Sequence, residues 1–130
     1  MIIDASAIVG FLSRKDQWHR ASVAVFENAE RPFVTCEPVI SECCFLLPAQ
    51  RRETFKLIED GLVKISFSLG EEISPVGRLV AKYESIPMSL ADACLVRMSE
   101  LVTLPIFTFD SDFRIYRKHR RERIQLIGID

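Results

Sequence analysis

Apolar residues recur in two rhythms along this chain. Short apolar runs at residues 1–3, 33–36 and 106–109 have the length and composition of buried strands, the first of them central in its sheet. Residues 62–67 alternate apolar and polar, which predicts a third strand, and residues 124–129 form a closing strand. Helical patterns lie between. Residues 5–12 predict one short helix, with Asp4 and Ser6 both suited to its N-terminus. Residues 13–16 are turn-like, after which Trp18, Ala21, Val25 and Ala29 recur at helical spacing until Arg31-Pro32 breaks the pattern. Pro38 suits the first turn of a helix. Residues 39–47 are apolar apart from Ser41 and Glu42, and Pro48 ends them. A further helix is predicted over about residues 49–60, closed by Gly61 at the C′ position. Residues 71–83 place Ile73, Val76, Val80 and Tyr83 on one side of a helix. After the loop at Ile86-Pro87, Ser89 is a good N-cap with Asp92 three residues on, a capping box with Asp in place of Glu. Residues 90–96 hold a single charge, Asp92, and predict a mostly buried helix.

Five short strands alternating with helices predict an α/β three-layer sandwich with a mainly parallel sheet. The length of 130 residues suits one domain, and no repeat, low-complexity tract or linker divides it. In such sheets the functional crevice lies outside the carboxyl ends of the strands. Asp4 ends the first strand and Asp110 ends the fourth, so both are expected at that edge.

Composition narrows the choice. Hydrophobic residues make up 48% and charged residues 27%, a globular balance with no stretch able to span a bilayer. Cys36, Cys43, Cys44 and Cys94 form no CxxC pair and lack histidines at zinc spacing, so they read as small hydrophobes in a reducing cytosol. Ile2, Ile3 and Asp4 follow Met1 directly, and no secretory signal is expected.

Two further acids stand in apolar surroundings. Glu42 is flanked by Val39, Ile40, Cys43, Cys44, Phe45 and Leu46, and Asp92 by Leu90, Ala91, Ala93, Cys94 and Leu95. A buried carboxylate must be paired, neutralised or metal-bound. No Lys or Arg lies within a helical turn of either, and oxygen donors without His or Cys favour Mg²⁺ or Mn²⁺ over zinc. Taken singly, each acid has a structural reading. Asp4 suits a helix cap, Glu42 a solvated helix face, Asp92 the partner of Ser89, and Asp110 an Asx turn.

The segments Ile2-Ile3-Asp4-Ala5-Ser6, Val39-Ile40-Ser41-Glu42, Leu90-Ala91-Asp92-Ala93 and Thr108-Phe109-Asp110-Ser111-Asp112-Phe113 occur in that order over nearly the whole chain. Together they resemble the PIN-domain family, especially the VapC-like toxin ribonucleases of toxin–antitoxin pairs. The resemblance implies a PIN fold and a Mg²⁺-dependent endoribonuclease, Mn²⁺ substituting, that acts on single-stranded RNA. Its acidic site would be Asp4, Glu42, Asp92 and Asp110. Asp112 shares the last motif as a metal ligand, and whether it or Asp110 lies closer to the ion stays open. Ser6 and Thr108 could orient carboxylates or water, or serve as plain cap and strand residues. The resemblance also implies a small antitoxin partner and a homodimer. The helix around Cys43-Cys44 is poorer in acids and richer in cysteine than the family pattern.

The net charge is −1, from 17 basic and 18 acidic residues; without the four candidate acids, 14 acids face 17 bases. Arg114, Arg117, Lys118, Arg120 and Arg121, with Arg123, crowd one segment and are candidates for phosphate contacts, or for a solvated helix face. Phe11, Leu12, Trp18 and Phe45 lie near the acids in sequence and could line a groove for an inhibitor segment, or be core. His19, expected to face solvent, and His119 do not stand at strand ends, which ranks a two-histidine ribonuclease low. A receiver domain needs paired acids after the first strand, where Ala5 stands, and a haloacid-dehalogenase-type phosphatase needs Asp at position 6, which is Ser. The serious alternatives are a PIN fold that binds RNA or protein without cutting, a PIN nuclease outside any toxin–antitoxin pair, and DNA as the substrate.

Overall fold

The computed structural model describes residues 1–129. In chain order the elements are β1 (Ile2–Ile3), α1 (Ala5–Leu12), α2 (His19–Asn28), β2 (Phe33–Thr35), α3 (Glu37–Leu46), α4 (Arg51–Glu59), β3 (Val63–Ile65), α5 (Ile73–Lys82), α6 (Leu90–Leu101), β4 (Ile106–Thr108), β5 (Arg117–Lys118), β6 (Glu122–Arg123) and β7 (Leu126–Gly128). Five strands form one parallel sheet in the order β3-β2-β1-β4-β7, flanked by helices, as the alternation predicts. β1 is central and both its residues are fully buried, in keeping with an all-apolar strand covered on two faces. The chain leaves β1 toward β2 and β3, then returns to lay β4 on the other side. The strand order therefore reverses between β1 and β4, where an open α/β sheet leaves its crevice.

Register carries the two strand ends together. Ile2 pairs with Ile106 and Ile3 with Phe107, and the Asp4 amide donates to the Phe107 carbonyl at 3.0 Å. On the far side of β4, Thr108 pairs with Gly128. Gly128 has φ +99°, and a Cβ there would stand 2.7 Å from the Thr108 carbonyl oxygen. Only glycine lets β7 approach β4 this closely. The core beneath includes Phe26, Phe33 and Phe107, with Phe11 stacked on Phe26 at 3.9 Å between centroids.

Local signals act where expected. Asp4 caps α1 through the Ala5 amide, Ser89 caps α6 through the Asp92 amide, and Gly61 follows α4 with φ +80°. Three expectations need correction. The buried face of α2 is Ser22 and Phe26, one position off the predicted stripe, and Trp18 at its start is exposed. Ser22 can go inside because its hydroxyl donates to the Ala7 carbonyl at 2.7 Å, and Gly10 leaves room for its Cβ. Ile73 is exposed at the start of α5, where the helix has not yet met the core. The basic segment is no helix face but the hairpin β5–β6. No helix among the described residues is long and apolar enough to cross a membrane.

Candidate active site

Asp4 leaves β1 directly into α1, so its carboxylate is held at the crevice by both elements. It is buried and accepts three hydrogen bonds: from the Ala5 amide at 2.7 Å, the Ser6 hydroxyl at 2.9 Å and the Thr108 hydroxyl at 2.6 Å. Each hydroxyl gives its one proton to Asp4 Oδ2 and takes a backbone N–H in return. Phe109 donates to Ser6 Oγ at 2.9 Å and Asp110 to Thr108 Oγ1 at 3.0 Å. The two side chains thus tie the segment after β4 to the end of β1. Burial, with the charge of Asp92, still lifts the Asp4 carboxyl from 3.8 to about 6, against the lowering effect of these hydrogen bonds.

Asp92 enters from the first turn of α6 and is also buried. Its amide serves the Ser89 cap at 3.0 Å, while its carboxylate accepts the Tyr116 hydroxyl at 2.8 Å. Cap and carboxylate are separate functions of one residue. Burial raises the Asp92 carboxyl, the Tyr116 and Ser89 hydrogen bonds oppose this, and Asp110 adds to it. Tyr116 itself is held well above the phenol range, first by burial and then by Asp92.

Glu42 projects from α3, half-buried. Burial raises its carboxyl to about 7, and Asp4, Asp92 and Asp110 all push it the same way. Four acids from four separate parts of the chain therefore share one field. Asp110 begins the 3-10 turn after β4, its carboxylate accepting the Asp112 amide at 2.9 Å. It is the member of the Asp110–Asp112 pair whose charge bears on Glu42 and Asp92. Asp112 is raised mainly by desolvation and then by Asp110.

Among the described residues, the ion pairs are Lys56–Asp60, Arg97–Glu72 and Arg97–Glu100, and none of them touches these acids. Nor are three His, Cys, Asp or Glu side chains arranged there as a ready-made cage for an ion. Mg²⁺ does not require one. It keeps several waters and is commonly held by one or two carboxylates plus substrate phosphate. Oxygen donors that repel one another without a neighbouring cation suit such an ion chemically.

A cleft of about 880 Å³ opens beside Glu42, walled by Glu37, Phe45, Phe67, Leu69 and Leu90. Phe45 is 83% exposed on its rim. The groove expected from the sequence is corrected here: Phe11, Leu12 and Trp18 do not line this cleft. Phe11 stacks on Phe26, Leu12 packs against the core, and Trp18 stacks on Phe109 at 4.8 Å. His19 is half-buried, not solvent-facing, with Nδ1 2.8 Å from the Gly10 carbonyl oxygen.

The basic segment divides. The Arg117 guanidinium folds back on the carbonyls of Arg114, Ile115 and Tyr116, and its amide donates to the Tyr83 hydroxyl. It braces the hairpin. Lys118 is half-buried opposite Glu122, and the Arg114, Arg120 and Arg121 side chains are exposed. Tyr116 was not singled out from the sequence. The available signal was a lone aromatic inside a basic run, too bulky and apolar for a purely solvated stretch.

The chain matches the sequence model of the family described as PIN domain over residues 1–119. No curated protein matches it.

Proposed function

Since the chain belongs to the PIN-domain family, whose members are typically metal-dependent nucleases, we propose that it is a Mg²⁺-dependent endoribonuclease. Its substrate is single-stranded RNA, and the reaction is hydrolysis of a phosphodiester bond. The observation that carries this reading is the gathering of Asp4, Glu42, Asp92 and Asp110 from separate elements into one field, with no cation paired to any of them among the described residues. A cation is the economical relief for that field. Asp4, Asp92, Asp110 and Asp112 are the residues that would hold it, Asp110 ahead of Asp112. When bound, Mg²⁺ or Mn²⁺ supplies stabilisation of charge at the phosphate and activation of water.

The chain's own residues do the rest. Ser6 and Thr108 fix the orientation of Asp4 through Oδ2, and Tyr116 fixes Asp92 through Oδ2. Glu42, at about 7, is poised to take a proton from the attacking water on a carboxylate oxygen. Arg114, Lys118, Arg120 and Arg121 offer phosphate contacts along the basic segment, Arg120 from a cleft separate from the one beside Glu42. Arg117 acts indirectly, by holding the hairpin.

In biology we read the enzyme as the toxin of a cytoplasmic toxin–antitoxin pair, working as a homodimer. The support is its likeness to VapC-like toxins and the exposed Phe45 beside Glu42, an apolar anchor point for an inhibitor segment. An unguarded site of this kind would cut RNA whenever the protein was made.

The test is incubation of the purified chain with a panel of single-stranded RNA and DNA, with Mg²⁺ or Mn²⁺ and with EDTA. RNA cleavage that stops in EDTA is expected. Undiminished cleavage in EDTA overturns the metal role. Binding without cleavage makes this a non-catalytic PIN fold, and preferential DNA cleavage overturns the substrate. Co-expression with an adjacent small reading frame tests the pairing: a stable complex is expected, whereas harmless accumulation of the chain alone, with no copurifying neighbour, makes it a nuclease outside such a system.

A further inference from the structure

A second, basic cleft of about 290 Å³ lies between α5, α6 and the β5–β6 turn, away from the acids. Arg78, Lys82, Arg97 and Arg120 line it, with His119 and a single acid, Glu100. Arg97 is committed to Glu72 and Glu100 at 3.0 and 3.2 Å. Lys82 donates to the Arg120 carbonyl at 3.2 Å. The Arg78 and Arg120 side chains are exposed and make no hydrogen bond or ion pair among the described residues.

The turn that presents Arg120 is built against conformational preference. His119 and Arg120 have φ of 48° and 72°, consecutive left-handed positions where glycine or asparagine is the ordinary choice. The turn is held from both sides: the His119 amide donates to Glu100 Oε2 at 2.7 Å, and Lys82 clamps the next carbonyl. Backbone held in a disfavoured shape by outside contacts points to a use for the shape.

The cleft also connects with the acidic site. The hydroxyl of Tyr116 meets Asp92 near the start of α6, and the His119 amide meets Glu100 eight residues on. The intervening segment runs along the helix for about 12 Å. Tyr116 and most of α6 between these two contacts are buried, so a single strand engaging both the acids and the cleft has to span about that distance over the surface.

We propose that this cleft is a phosphate-binding site for the flanking backbone of single-stranded RNA, held by Arg78 and Arg120 on a platform made by Lys82, Arg97 and Glu100. The proposal rests on the reading of the chain as an RNA-cutting enzyme, and it adds a subsite remote from the bond cut.

The experiment measures binding of a labelled RNA of about 12 nucleotides, within the range of single-strand site sizes, by fluorescence anisotropy in EDTA at several salt concentrations. The full chain is compared with Arg78→Gln/Arg120→Gln and with Arg78→Lys/Arg120→Lys. Each phosphate contact on a single strand contributes about 0.7 to the salt slope, so loss of two lowers it by about 1.4. Between 50 and 200 mM salt the Gln variant should therefore lose about sevenfold less affinity for this RNA than the wild type loses. The Lys variant should restore the slope, and Arg51→Gln/Arg52→Gln, which removes two exposed cations from α4, is the reference. An unchanged slope for the Arg78/Arg120 Gln variant overturns the proposal, as does an equal fall with the α4 variant. Cleavage by the wild type in Mg²⁺ is scored separately. If RNA is cut and the slope does not move, the subsite alone is wrong; if the wild type neither binds nor cuts RNA, the nuclease reading falls with it.

Discussion

Replacing Asp4 by Asn isolates the cost of the buried charge, because the side chain keeps its shape. Burial lifts the Asp4 carboxyl from 3.8 to about 6. A shift of roughly two units corresponds to about 3 kcal/mol, at about 1.36 kcal/mol per unit. Since the folded value is raised, its stabilisation is fully present below about pH 4 and is lost as pH rises through about 6. The metal-free wild type should thus lose about 3 kcal/mol across that window from this group alone. Asn is neutral throughout and loses none of it. It carries its own defect. With its carbonyl oxygen toward the Ala5 amide, its NH₂ faces the Ser6 and Thr108 oxygens, which already accept the Phe109 and Asp110 amides. One hydroxyl can turn its proton toward the other across 3.2 Å, and the remaining proton is left without an acceptor. That costs about 1–2 kcal/mol. The variant should be less stable than wild type below about pH 4, equal near about pH 5, and more stable by about 1–2 kcal/mol above about pH 7. Urea denaturation in EDTA across this range measures it. A difference between the two proteins that stays constant with pH would refute the account of Asp4 as a buried carboxylate whose hydrogen bonds do not offset its desolvation.

Two further substitutions probe Asp92. Asp92→Asn should abolish RNA cleavage by about 100-fold or more, as for a residue in the transition-state clamp, while circular dichroism shows an intact fold, because the Ser89 cap uses the Asp92 amide and not its carboxylate. A variant that unfolds yet retains specific activity would make Asp92 a capping residue only. Tyr116→Phe keeps the ring contacts with Tyr83 and Phe113 at 5.1 and 5.3 Å but removes the donor to Asp92. At neutral pH without metal it should cost about 1.5–3 kcal/mol, the range for a hydrogen bond to a charged group, and unchanged urea stability would show that this bond contributes nothing.

The order of strands and helices was legible in the chain because the signals that specify it act within a few residues. An apolar run ending in Asp4, the Ser89 cap, Gly61 after α4 and the prolines at 32, 38 and 48 each constrain their own turn of backbone. Asp4 and Asp110 could be assigned to one edge because strand ends in a parallel sheet share a side, and Glu42 and Asp92 stood out as acids in apolar helices. Which face of a helix goes inside was less legible. Ser22, not Ala21, is buried, because a hydroxyl that finds the Ala7 carbonyl is no longer polar cargo, and that carbonyl lies on another helix. The fate of the basic segment was hidden too. Its charges offered phosphate contacts or a solvated helix face, and neither shows that Tyr116 reaches Asp92 across 24 residues of sequence and holds the stretch as a hairpin against α6. Ser6 and Thr108 are 102 positions apart, and only the pairing of β1 with β4 puts both hydroxyls on Asp4. The raised carboxyls of Asp4 and Glu42 belong to the same level, for desolvation and like-charge repulsion depend on distances in space. Sequence by itself determined the elements and the kinds of side chain at their ends; tertiary structure decided which of those side chains share a proton, a field or a cleft, because those interactions fall off within a few ångströms and no local rule carries them along the chain.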